Sequence, residues 1–195
     1  MRTITSPMKS AAKTILKSVI ICFLIIPQFK GNAQKKFSSD KGELSFTSNA
    51  KLELINAKSK RVLGIIDPTN GQFAFIVKVQ SFEGFNSNLQ QQHFNDKYME
   101  SDKFYDATYS GKIIDPVDYT KDGIYDVRTK GSLVIHGKKQ ERIIPGKIHV
   151  EKGVLTVTSV FEVPLADHDI PVPEIVSQKI ATTINVKLNV LMTQK

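Results

Sequence analysis

The sequence predicts an all-β fold: an antiparallel β-barrel of about eight strands with one short helix between strands. Three observations carry that expectation. Apolar and polar residues alternate with period two along most of the chain, most cleanly over residues 179–192, where Ile180, Thr182, Ile184, Val186, Leu188 and Val190 alternate with Ala181, Thr183, Asn185, Lys187 and Asn189. The alternating runs are separated by hairpin-sized turns rich in Pro, Asn and Gly, which makes sequence neighbours antiparallel. A sheet this long with one apolar face must curl, pair or close to hide that face, and only closure removes both edges.

Taken in order, residues 1–33 have the pattern of a secretory signal peptide. Arg2, Lys9, Lys13 and Lys17 precede the apolar run 19–26, and Gly31-Asn32-Ala33 supplies small residues for cleavage. The run is far shorter than the ~20 residues of a membrane span. Cys22 lies inside it behind Ile20-Ile21, not behind a small residue, so lipidation is not expected.

Residues 34–195 then form one domain. Leu44 and Phe46 alternate with Glu43, Ser45 and Thr47 in a first strand, Leu52 and Leu54 do the same in 51–55, and 61–66 is a third run ended by the turn residues Pro68, Asn70 and Gly71. Over 72–80, Phe73, Phe75, Val77 and Val79 share one face. Ser87 can cap a helix over roughly 88–99, with Leu89, Phe94 and Tyr98 on one side. From Tyr105 the period returns to two, with Ala107, Tyr109, Gly111 and Ile113 together.

A polar loop over 115–123 leads into a long strand at 124–135 presenting Tyr125, Val127, Thr129, Leu133 and Ile135, with Gly131 expected to mark a bend or bulge. A tight turn at Gly137 returns the chain along 138–150, where Pro145-Gly146 should interrupt the ladder. Over 154–163, Leu155, Val157, Phe161 and Val163 face one way. Residues 164–173 read as an irregular crossing before the last strand.

Cleavage after Ala33 removes five basic residues and no acid, so the formal charge falls from +8 to about +3. The basic character belongs largely to the leader and does not argue for nucleic acid. The remaining chain has no cysteine, which removes disulfides, thiolate nucleophiles and cysteine metal sites. No HExxH, His-x-His pair, GxSxG or phosphate-binding glycine loop is present. His93, His136, His149 and His168 therefore read as surface or turn residues, and His168, between Asp167 and Asp169, as a solvated loop histidine.

Two stretches carry a family resemblance. Met99, Ser101, Lys103, Phe104, Ala107, Thr108 and Tyr109, following a helical stretch, match a Met-x-Ser-x-Lys-Phe and Ala-Thr-aromatic signature. Gly131–Lys139, GSLVIHGKK, matches a Gly-x-Leu-Thr-Ile-His-Gly segment, with Val134 in place of the Thr and Lys138-Lys139 in place of Val-Thr. Together they resemble the YceI-like family of secreted bacterial lipid-binding proteins over about residues 36–192. The resemblance implies an extended lipocalin-like barrel holding an isoprenoid, a quinone or a related amphipathic chain as ligand, with no cofactor, in the periplasm.

The candidate binding residues are then Phe46, Phe73, Phe75, Val77, Phe94, Tyr98, Tyr109, Tyr125, Val127, Leu155, Val157, Phe161, Ile184 and Val186. An apolar wall of this kind suits a flexible prenyl or acyl tail, because each buried CH₂ contributes about 0.8 kcal/mol without directional partners. Alternation reports which way a side chain faces, not whether the interior is empty, so the same residues also fit a packed core. The helix would cover one mouth as a lid, with His93, Tyr98 or Asp102 near a head group, or simply plug that end. Lys138-Lys139 and Arg142 would steer an anionic head group or a membrane surface, or form an ordinary soluble turn. A homodimer is permitted by exposed sheet edges. Two rivals stand beside non-enzymatic carriage: a lipid-modifying enzyme, for which Tyr109, Tyr125 and His136 are the acid/base candidates, and a filled barrel acting as a cell-envelope interaction protein.

Overall fold

The computed structural model describes residues 36–195, with Met1 and Thr3; the expected leader over 1–33 otherwise lies outside the described residues. Eight antiparallel strands close into a barrel in sequence order. They are β1 (Phe37–Asn49), β2 (Leu54–Ile66), β3 (Gln72–Lys78), β4 (Asp106–Ile113), β5 (Gly123–Ile135), β6 (Lys138–Glu151), β7 (Val154–Pro164) and β8 (Thr183–Gln194). Helix α1 (Asn88–His93) lies between β3 and β4. β8 pairs with β7 from Val154↔Thr193 to Pro164↔Thr183 and with β1 from Phe37↔Gln194 to Thr47↔Asn185, which closes the sheet.

Two-residue turns at His136-Gly137 and Lys152-Gly153 join β5 to β6 and β6 to β7. All four residues have positive φ (52°, 70°, 49° and 78°), the geometry whose twist matches paired strands.

Two runs read from the sequence as separate strands, 51–55 and 61–66, become one. Ile55, Ala57 and Ser59 face inward, Lys60 and Arg61 both face out, and Val62, Gly64 and Ile66 face inward again. The pairing shifts between Gly42↔Val62 and Leu44↔Ser59, so β2 carries a bulge that inverts its alternation. Ser59 Oγ accepts the Arg61 N–H at 3.1 Å there. Leu54, expected inside, is therefore exposed, and Leu52, also expected inside, lies exposed in the bend before β2.

Gly131 marks no bulge. It pairs in register with Gly111, and a Cβ on Gly131 would fall 2.3 Å from the Ser110 carbonyl oxygen, one on Gly111 2.2 Å from that of Lys130. Close backbone approach, not a bend in the ladder, requires glycine here. Pro145 interrupts one ladder only. β5–β6 pairing runs unbroken through Arg128↔Pro145, whereas β6–β7 pairing stops at Lys147↔Thr158. Past that point side chains span the seam: Ser159 Oγ donates to the Pro145 carbonyl (2.6 Å) and Arg142 to that of Glu162 (2.9 Å).

The ends of the barrel differ. At the lower end, the 114–122 loop closes the interior, with Tyr119 stacked on Phe37 at 5.7 Å; burial pushes the Tyr119 hydroxyl up to about 12. Phe37, Ile66, Ile148, Val150, Leu155, Val190 and Met192 fill this half and are almost wholly buried.

At the upper end β2 pairs with β3 only over Leu63–Ile66, so the wall above is open. Residues 79–86 cross that gap, held by the Lys58↔Glu83 bridge and a Ser59–Ser81 hydroxyl contact of 2.6 Å. Helix α1 and the 165–182 segment complete the cover.

Gly131→Ala should lower the free energy of unfolding by on the order of 2 kcal/mol, because overpacking here meets backbone that cannot yield. Gly123→Ala, whose Cβ would meet only Tyr125 at 3.7 Å, should be nearly neutral. Urea denaturation of the two variants checks both.

Candidate functional site

The lid is built from a polar segment by local capping. Ser87 is extended, and its Oγ accepts the Gln90 N–H at 3.1 Å, which starts α1 as the sequence predicts. The predicted helix over 88–99 does not stay α-helical. From Phe94 to Tyr98 it widens into a π-turn, with the Met99 N–H bonded to the Phe94 carbonyl at 2.9 Å. Both Phe94 and Tyr98 line the cavity below. Side chains tie the lid to the barrel: Gln90 donates to Glu53 Oε1 (2.8 Å), Asn86 to the Leu54 carbonyl (3.0 Å) and Gln91 to the Phe82 carbonyl (2.9 Å).

Beyond the π-turn the two signature stretches lock together. Glu100 takes φ +42°, and its carboxylate receives Lys103 and His136 Nε2 (3.0 Å), which hold it below the usual carboxylate range. Phe104 packs edge-on against His136 at 4.6 Å and covers Gly137 so closely that a Cβ there would lie 2.4 Å from its ring. Met99 is buried against Val79 and Ile170.

His168 is not solvated: it is fully buried. Its Nδ1 donates to the Lys138 carbonyl at 3.2 Å while its own carbonyl receives His136 Nδ1 at 3.1 Å. Burial pushes its pKa down, against the smaller opposing pull of the Lys138 and Ile135 backbone. His93 lies exposed at the cavity edge and Asp102 outside it, bonded to Gln80 (3.0 Å). Lys138 and Lys139 pair with Asp169 and Glu141, and Arg142 with Asp167 at 3.4 Å, so this cluster is a neutralised turn.

Under the lid lies an apolar cavity of about 510 Å³. Of the candidate binding residues, Phe46, Phe75, Val77, Phe94, Tyr98, Tyr109, Phe161, Ile184 and Val186 line it. The other five do not. Phe73, Val127 and Val157 border a small void of about 50 Å³ lower down, Tyr125 lies beside the lower loop, and Leu155 is wholly enclosed in the packed half. The interior is thus a cavity above and a core below.

Sequence reasoning missed Phe82 and Phe85. With Phe46 and Phe94 they form a cluster of rings 5.1–6.0 Å apart between wall and lid. The available signal was two aromatics inside an otherwise polar stretch. Leu133, Val163, Leu188 and Ile170 extend the apolar wall, and Glu53, Gln90, His93 and Lys179 give the mouth its polar groups.

The three acid/base candidates are far from a common site. Tyr109 lines the cavity, but its hydroxyl donates to the Thr129 carbonyl at 3.0 Å, and burial raises its pKa. Tyr125 donates to the Lys121 carbonyl (3.2 Å) at the lower end, and His136 is engaged in the upper hairpin. Among the described residues no group of three His, Cys, Asp or Glu side chains is placed to hold a metal.

The profile of the YceI-like domain matches residues 28–192. No curated protein matches the chain in sequence. Among solved structures, a polyisoprenoid binding domain from Saccharophagus degradans implicated in plant cell wall breakdown superposes with a TM-score of 0.69 at 16% identity, covering 83% of this chain and 99% of that one. BcnA of Burkholderia cenocepacia gives 0.65 at 16% identity, covering 77% and 96%. The YceI protein of Campylobacter jejuni gives 0.54 at 16% identity, covering 76% and 86%.

A histidine whose pKa is lowered by folding binds its proton more readily when unfolded, so its stabilising effect is present above the ordinary value of 6.5 and is lost as pH falls below it. The melting temperature should therefore drop between pH 6.5 and about 5, above the range where the lowered carboxylates titrate. His168→Gln should flatten that drop; an unchanged slope in the variant assigns it to other groups.

Proposed function

The chain belongs to the YceI-like family, and from that premise we propose that it is a non-enzymatic, periplasmic protein that carries or sequesters an amphipathic isoprenoid or similar lipid. The observation that carries this reading is an apolar cavity whose charged and amide-bearing lining residues, Glu53, Gln90, His93 and Lys179, gather at its mouth. The tail would partition among Phe46, Phe75, Val77, Tyr109, Phe161, Ile184 and Val186, under the rings of Phe94 and Tyr98. The head group would stay near Glu53, Gln90, His93 and Lys179.

Such a site needs no directional partner along the tail, since removing apolar surface from water supplies the affinity. The Tyr98 hydroxyl, whose pKa burial raises further above its ordinary value, is a neutral hydrogen-bond donor at the cavity wall. Leu89, which lines the cavity, is exposed, as are Leu52 and Leu54 on either side of the lining residue Glu53 and Ile175 beside the lining residue Val176. These side chains support transient contact with a membrane surface during loading.

The direct experiment is native mass spectrometry of protein purified from its own periplasm without added lipid, followed by organic extraction. A stoichiometric hydrophobic adduct is expected. A bare polypeptide mass that stays unchanged after incubation with prenyl quinones would favour the interaction-protein reading instead. As a second test, Tyr98→Ala should weaken lipid binding about tenfold while moving the melting temperature by only a few degrees; equal binding by the variant would remove the lid from the site.

A further inference from the structure

The cavity has a floor, and we infer that this floor is a ruler that restricts the protein to short prenyl or acyl chains. The inference rests on the lipid-binding reading and adds the length of the tail to it.

Four side chains are shared between the upper cavity of about 510 Å³ and the void of about 50 Å³ beneath it: Phe75, Tyr109, Phe161 and Leu188. They separate the two spaces. Three of them come from three different strands on β3, β4 and β7, and Leu188 closes the set from β8.

The floor is held in place. Phe75 pairs across the ladder with Gly64, and its ring lies over that glycine so closely that a Cβ there would sit 2.6 Å from Cε1. The ring thus occupies the space that an inward side chain on β2 would take. Phe73 supports it from below, 5.9 Å from Phe75 and 5.0 Å from Tyr109. Tyr109 is pinned by its hydroxyl, which donates to the Thr129 carbonyl at 3.0 Å and meets Thr129 Oγ1 at the same distance, while that hydroxyl donates to the Ile144 carbonyl at 2.8 Å. A ligand tail that pushed through would have to break this anchored aromatic layer.

Below the floor the void runs toward Pro145, Gly146, Thr158 and Ser159, where the β6–β7 ladder has ended. Removing a floor ring would join this space to the cavity and lengthen it. On β8 the lining side chains Ile184, Val186 and Leu188 span four residues of rise, or roughly 14 Å along the strand down to the floor. A long polyprenyl chain laid straight would leave most of its length outside.

The test is a binding series with geraniol, farnesol, geranylgeraniol and solanesol, run by displacement of a fluorescent apolar probe. In the native protein affinity should rise about tenfold or more from geraniol to farnesol, as added methylenes are buried, and then level off. Phe75→Ala should move the break to a longer alcohol, with geranylgeraniol gaining at least about fivefold over farnesol. Phe161→Ala, which opens the same layer from β7, reads the outcome independently should Phe75→Ala fail to fold. A native affinity that keeps rising through solanesol, or an unmoved break in both folded variants, overturns the ruler while leaving lipid binding intact. No binding of any alcohol overturns the isoprenoid reading itself, and the ruler with it.

Discussion

Everything else in this molecule depends on the closure of β8 onto β1. An open eight-stranded sheet would carry two edges and an apolar face with no partner. Once Phe46 pairs with Val186 on one side and Ala57 on the other, the chain has an inside that water cannot reach along its strands. The barrel's radius is then fixed by strand number and stagger, not by what its side chains need. Whether the inside is full becomes a question of which side chains point into each layer.

The lower layers are filled by Phe37, Ile66, Phe73, Ile148, Leu155 and Met192, with Tyr119 brought in by a loop. In the upper layers Phe46, Val77, Phe161 and Val186 line the cavity without closing it, and there β3 ends and leaves β2 without its neighbour. The missing wall is replaced by a segment whose rings lie across the opening instead of packing through it. Cavity and lid are therefore one feature. The strand that stops short creates the space, and the chain it releases becomes the cover.

The strand pattern was largely legible because a half-buried strand writes its facing directly into the sequence. β3, β4, β5, β7 and β8 follow the alternation that their residues announce. Three misreadings have physical causes. A bulge at Lys60-Arg61 reverses the phase of β2, so Leu54 alternated correctly in the wrong frame, while Leu52 falls in the bend before the strand. His168 sits between two aspartates yet is buried, because its partners are backbone carbonyls from a hairpin some thirty residues away, and no local pattern encodes those. The division of the interior escaped for a more general reason: Leu155 and Val186 read alike as inward apolar residues, and only the heights at which their strands stack place one in the core and the other at the cavity.

The two ends of the barrel give the interior a direction. Glu53, Gln90, His93 and Lys179 gather at the upper mouth, while at the lower end Tyr119 stacks on Phe37 and the interior behind it is packed. A polar group carried past the mouth would lose its water and meet almost no partner, at a cost of roughly 2–7 kcal/mol. The inward hydroxyl of Tyr109 is no exception, since it is already committed to Thr129. On the proposed lipid-binding reading, an amphipathic guest would therefore enter tail first and stop with its head among the mouth residues. The same asymmetry explains why the lid is fastened by polar side chains to the β1–β2 turn yet rests on rings: the fastening lies where water remains, and the rings lie where it has been excluded.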